Sequence, residues 1–225
     1  MKGVFVTGTD TAVGKTLAAC ALIHALAARG VAATPMKPIA AGAESVGGRL
    51  LNDDTRALLA AAGRDTSFAA LATPVLLREP MAPHIAARRE GVTITLDPVL
   101  AAFERAAAEG KFMVVEGVGG FRVPLGEALD TVDLARALGL PVVLVVGMRL
   151  GCLNHALLTA ASVRDHGLRL AGWVASVIDP RVERLEGQLQ TLGARLAAPC
   201  WGVVPPLADP SPAAVAAHLA PEALA

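Results

Sequence analysis

Short runs of β-branched and other apolar residues alternate with Ala- and Leu-rich stretches, which predicts a mostly parallel sheet covered by helices on both faces. Val4-Phe5-Val6-Thr7 reads as a buried first strand, and Gly14 to Arg29 as a helix closed by Gly30. Val31 to Met36 is a second strand, stopped by Lys37-Pro38, and a polar, Gly-rich loop follows from Ala41 to Arg49. A helix is expected from about Asn52 to Ala62, ending at Gly63. Pro74, Pro80 and Pro83 make the stretch from Arg64 to Pro83 loop-like. Beyond it lie a helix near Leu96 to Glu109 and a strand, Phe112 to Val115, that ends on Glu116. Pro141 to Val146 is a full strand, followed by a helix from about Asn154 to His166. Leu170 to Ile178 and Trp201 to Val204 complete the strands, with an amphipathic helix, Glu183 to Leu196, between them. No internal repeat or linker interrupts the pattern, so residues 1–225 are expected to form one doubly wound α/β domain.

In such sheets ligands bind outside the carboxyl ends of the strands, and three chemical groups fall there. The first strand runs into GTDTAVGKT, Gly8 to Thr16. This ends like a phosphate loop, yet G-x-x-x-x-G-K-[ST] would need glycine at position 9, where Thr9 stands. A strand–loop–helix connection of this kind points backbone N–H groups and the helix dipole at an anion. Lys15 would reach the β- and γ-phosphates and the Thr16 hydroxyl would ligate Mg²⁺. The second strand ends in Lys37, a second positive charge for a transferring phosphoryl group, with its side chain expected to point off the sheet edge. A central strand ends in Glu116, followed by Gly117-Val118-Gly119-Gly120, where a ligand can approach the backbone. Glu116 and Asp54 are candidate Mg²⁺ carboxylates, although Asn52-Asp53-Asp54 also reads as a helix N-terminus, which makes capping the alternative role for at least one of the three. His84, His24, His155 and His166 read as surface or structural groups, and Cys152 as a small buried side chain.

Composition narrows the partners. Net charge is zero, giving no reason to expect nucleic acid or an anionic membrane. Three isolated cysteines, Cys20, Cys152 and Cys200, suit a reducing cytoplasm and neither a disulfide framework nor a zinc site. No secretory signal is visible, and the apolar run Leu140 to Met148 is too short to span a bilayer. A soluble cytoplasmic protein is expected.

GTDTAVGKT, then KPIAAG (Lys37 to Gly42), VVEGVGG (Val114 to Gly120), PVVLVVGMRLGCLNHALLT (Pro141 to Thr159) and LAGWVAS (Leu170 to Ser176), closely resembles the dethiobiotin synthetases, over most of the chain and in the same order. The longer first loop is what that resemblance expects. It implies the P-loop NTPase fold, a homodimer, and the conversion of 7,8-diaminononanoate, CO2 and ATP to dethiobiotin, ADP and phosphate. It implies that Lys15 and Lys37 neutralise the transferred phosphoryl group and a carbamate, and that Thr16, Asp54 and Glu116 hold Mg²⁺. Thr11, Ala12, Val13, Gly14 and Leu17 would line the nucleotide with Gly117, Val118 and Gly119, while Ser176, Pro205 and Pro206 would face the base. Thr11, Lys37 and Ala41 would face the diamine. Gly151, Cys152, Leu153 and Asn154 of the partner subunit would receive its distant carboxylate on a helix N-terminus.

Three positions depart from that family's pattern: Ala12 replaces a frequent acidic residue, Ala41 a serine, and Ser176 the asparagine that reads adenine. Looser base selection is therefore expected. A partition-type ATPase would carry a signature lysine where Asp10 stands. A related amide-forming ligase domain would usually sit in a longer chain.

Overall fold

A computed structural model of the chain describes residues 2–109 and 111–220. In chain order its first elements are β1 (Gly3–Gly8), α1 (Lys15–Ala28), β2 (Ala33–Met36), β3 (Ile39–Ala40), β4 (Glu44–Val46), β5 (Arg49–Leu51) and α2 (Asp53–Ala61). A 3-10 turn (Thr66–Phe68), α3 (Ala69–Ala72), β6 (Val75–Leu76), α4 (Pro83–Glu90), α5 (Asp97–Ala107) and β7 (Phe112–Glu116) follow. The rest is α6 (Thr131–Leu138), β8 (Val142–Met148), α7 (Cys152–Asp165), β9 (Leu170–Val177), α8 (Leu185–Arg195), β10 (Cys200–Val204) and α9 (Pro212–Ala216).

Six strands form one parallel sheet in the order β10-β9-β8-β1-β7-β2. The period-two alternation of a strand sorts its side chains between two cores. On one face Val4, Val6, Val114 and Val143 pack with Leu22, Ile23 and Leu26 of α1. On the other Phe5, Met36, Val115 and Leu144 pack with Phe103 of α5, Val132 of α6 and Val163 of α7. Both faces being covered, the strands need continuous apolar runs, which is why they stand out in the sequence.

Three predicted regions differ. The Ala41 to Arg49 loop holds a hairpin, β4 with β5, closed by Gly47-Gly48, both at positive φ as such a two-residue turn requires. The Arg64 to Pro83 stretch contains β6, paired in parallel with β3, so the chain between α2 and α4 forms a small annex to the sheet. α4, α6 and α9 lie outside the predicted elements; α4 and α9 open on proline, and α6 on an Asp130–Asp133 capping box. Among the described residues no helix is long and apolar enough to cross a membrane.

Candidate active site

β1, β7 and β2 are neighbours in the sheet, so whatever leaves their carboxyl ends must meet. The Lys37 Nζ lies 2.6 Å from Glu116 Oε1, 2.8 Å from Asp54 Oδ2 and 3.1 Å from the Gly117 carbonyl oxygen. Lys37 and Glu116 are 3% and 1% exposed. This corrects the expectation of a lysine aimed off the sheet edge: backbone bonding of Lys37 to Ala72 and the β3 extension fold the chain over it. Burial pulls its ammonium toward neutrality, but the Glu116 and Asp54 charges outweigh that and hold its pKa above the usual lysine value. Complete burial raises the Glu116 carboxyl despite the Lys37 charge. Asp54 is held low, Lys37 overcoming its partial burial.

The phosphate loop is tied down from outside. Asp10 accepts from the Thr11 N–H at 2.7 Å and from Arg149 at 2.6 Å, and its carbonyl accepts from Lys15 Nζ at 2.8 Å. Ala12 stands at φ 57°, an uncommon conformation for a residue with a Cβ. Val13 is buried beside Gly8 and Gly147, so only its backbone faces the loop's concave side. Gly14, at φ 89°, opens α1 without any side-chain cap, leaving the first N–H groups of a 14-residue helix for a ligand. Burial, with the Lys37 charge, brings Lys15 down to about 8 against the pull of Glu116, Asp54 and Asp10. Leu17 is half-buried against the α1-side core.

The Thr16 hydroxyl lies 2.8 Å from Asp54 Oδ1 and 2.8 Å from Glu116 Oε1. A hydroxyl has one proton and can satisfy one of those oxygens at a time. Glu116 Oε2 is buried with no hydrogen-bond partner. Hydroxyl and carboxylate oxygens short of protons are the donor set a hard divalent cation prefers, so these residues fit Mg²⁺.

Beside this cluster lies a cavity of about 440 Å3, whose lining includes Thr11, Lys37, Ala41 and Asp54 together with Pro80, Met81, Val118 and Val123. Thr11 Oγ1 also comes near Gly119. Pro80, Met81 and Val123 were not legible as site residues. They carry no reactive group, and only the proline spacing hinted at a chain reversal there. Ser176, next to last in β9, approaches the phosphate loop, its hydroxyl 2.9 Å from where a Cβ on Gly14 would be. Pro205 is half-buried and Pro206 exposed beyond β10.

The α7 start lies away from this cavity's walls. Gly151 caps it at φ 91° and Asn154 is exposed. Cys152 is a buried side chain as expected, its thiol bonded to Gln188 and its N–H to the Arg149 carbonyl. Of the four α7 residues, that leaves the Leu153 and Asn154 N–H groups in the first helical turn, without intrahelical partners. His84 links to the Pro124 carbonyl at 3.2 Å at the surface. Burial pushes the Cys20 thiol up to about 12, which makes it inert.

A domain family described as "AAA domain" matches residues 2–214. The ATP-dependent dethiobiotin synthetase BioD of Aromatoleum aromaticum is 54% identical over 215 residues, covering 96% of this chain and 95% of that protein. Its namesake in Xanthomonas oryzae pv. oryzae is 49% identical, covering 96% of each. The chain belongs to the dethiobiotin synthetase family. Solved structures add the fold alone. A ParA family ATPase from Chlorobium tepidum matches with a TM-score of 0.54 at 15% identity, over 93% of this chain and 87% of that one. The MinC:MinD cell division complex of Aquifex aeolicus matches at 0.57 and 15%, over 92% and 82%. They bear out the P-loop NTPase architecture, and the high identity to synthetases disposes of a partition ATPase.

Proposed function

We propose that this member of the family makes dethiobiotin from 7,8-diaminononanoate, CO2 and ATP. A substrate amine adds to CO2, loses a proton and becomes a carbamate. A carbamate oxygen attacks the γ-phosphorus, the bond to ADP breaks, and a carbamic–phosphoric anhydride forms. The second amine attacks the carbonyl carbon, loses a proton and expels phosphate, closing the ureido ring.

The observation that carries this reading is Lys37, held charged by Glu116 and Asp54 while it lines both the cavity and the crevice above the phosphate loop. It serves as the cation between carbamate and γ-phosphoryl, where fixed charge stabilises a transition state most. Lys15 and the N–H groups of Val13 to Leu17 hold the phosphates. Thr16, Asp54 and Glu116 would hold Mg²⁺, which neutralises phosphate charge when bound. The apolar walls Ala41, Met81, Val118 and Val123 suit the diamine's hydrocarbon chain.

Its distant carboxylate would be received at the Gly151, Cys152, Leu153 and Asn154 turn of the partner subunit, on the Leu153 and Asn154 N–H groups. A homodimer is supported by Leu150, just before α7, and Leu158, midway along it, 95% and 63% exposed. Ser176, Pro205 and Pro206 face the base and offer one side-chain hydroxyl to read it. Zero net charge supports small-molecule partners, not nucleic acid or membrane, and free thiols suit the cytoplasm. The test is purified protein with diaminononanoate, bicarbonate and ATP. Dethiobiotin should form with an equal amount of phosphate; none, with CTP and GTP also tried, rejects the assignment.

A further inference from the structure

Asn52 is nearly buried and has both ends of its amide engaged. Its Oδ1 accepts from the Asp54 N–H at 3.0 Å, capping α2. Its Nδ2 donates to the Ala41 carbonyl at 2.8 Å, with the Gly42 carbonyl at 3.4 Å. A donor on one side and an acceptor on the other leave the amide only one orientation. The turn it grips is the cavity's wall. Gly42 lies so close to Pro80 that an added methyl would stand 3.1 Å from the Pro80 Cβ, and Ala43 and Leu77 exchange backbone bonds with Leu77 and Ala40. Holding Ala41 and Gly42 therefore holds Pro80, which lines the same cavity as Lys37.

We propose that Asn52 is a positioning residue. One amide ties the Ala41–Pro80 wall to the helix start that carries Asp54, and so sets where the diamine sits relative to the phosphoryl-transfer groups. A bare helix cap would need only the Oδ1 bond. The donor bond to Ala41 serves the wall, and an N-cap serine cannot supply it because its hydroxyl is too short to reach across.

The inference rests on the cavity holding the diamine, so the experiment carries its own control. Asn52→Ser and Asn52→Asp both keep a strong cap, and the aspartate also faces the Ala41 oxygen with a second acceptor. Asn52→Ser should unfold within a few degrees of wild type, Asn52→Asp lower because its carboxylate faces the Ala41 oxygen, and both should keep wild-type nucleotide affinity by titration calorimetry. Their KM for the diamine should rise about tenfold, the scale of one buried hydrogen bond, and more in Asn52→Asp. Val123→Phe, which puts a larger side chain into the cavity lining, should raise the same KM. A wild-type diamine KM in both Asn52 variants, with Val123→Phe raised, overturns the role of Asn52 alone. An unchanged KM in Val123→Phe overturns the cavity reading and the inference with it. Equal loss of nucleotide affinity and stability would reduce Asn52 to a structural cap.

Discussion

At the Glu116 end of the site the two lysines are buried and answered, Lys37 by two carboxylates and Lys15 by the Asp10 carbonyl, and the Thr16 hydroxyl lies between both acids. Around Ser176, proposed to face the base, the described side chains at Ser176, Pro205 and Pro206 offer one hydroxyl and no further donor. The difference teaches where this protein invests specificity. Phosphoryl transfer needs fixed charges in a low-dielectric setting, where each is worth far more than in water. In the proposed reading the phosphates anchor the nucleotide, so base selection is expected to be loose.

The largest effect expected from breaking this contrast is at Lys37. Lys37→Ala should lower turnover about a hundredfold or more, the scale of losing one oxyanion donor. It should also cost about 3–5 kcal/mol in denaturant unfolding, because Glu116 is left buried without its partner. Adding Glu116→Gln should restore part of the stability and none of the turnover. Near wild-type turnover in Lys37→Ala would move the chemistry elsewhere.

Lys15→Ala should weaken nucleotide binding roughly tenfold to a hundredfold, the worth of a charge-assisted hydrogen bond. Calorimetric titration with ATP checks it; unchanged affinity would show that Lys15 serves only Asp10. At the loose end, wild type should accept GTP and CTP as phosphoryl donors. Ser176→Asn, able to pair in a bidentate way with adenine, should sharpen the preference for ATP by about tenfold to a hundredfold. A wild type already strict for ATP, and not sharpened by the change, would transfer base reading to backbone near Pro205. The smallest effect is at the α7 start. Asn154→Ala should raise the diamine KM several-fold and leave that for nucleotide alone. A fully active monomer by light scattering would refute the shared site.

The same contrast explains what the sequence disclosed. Lys15, Thr16, Lys37 and Glu116 were legible because strand ends in a parallel sheet converge, and reactive residues punctuating apolar runs mark those ends. Asn52 was legible as a cap, since capping is local, but its bond to Ala41 spans 11 positions of sequence and depends on the hairpin between them. The burial of Lys37 was missed for a related reason. The annex that covers it pairs β3 with β6 of the proline-punctuated stretch, and both strands have two residues, too short to show a period. Pro80, Met81 and Val123 act by shape alone, and shape leaves no pattern in the sequence.

The central claim is that a carbamate, fixed beside Lys37, is the group that takes the phosphoryl. Turnover with bicarbonate and dissolved CO2 carrying a heavy-oxygen label, ATP being unlabelled, tests it by mass spectrometry of the released phosphate. Label should pass into the phosphate, because the carbamate oxygen that attacked phosphorus leaves with it when the ring closes. Dethiobiotin accompanied by phosphate free of label would contradict the account.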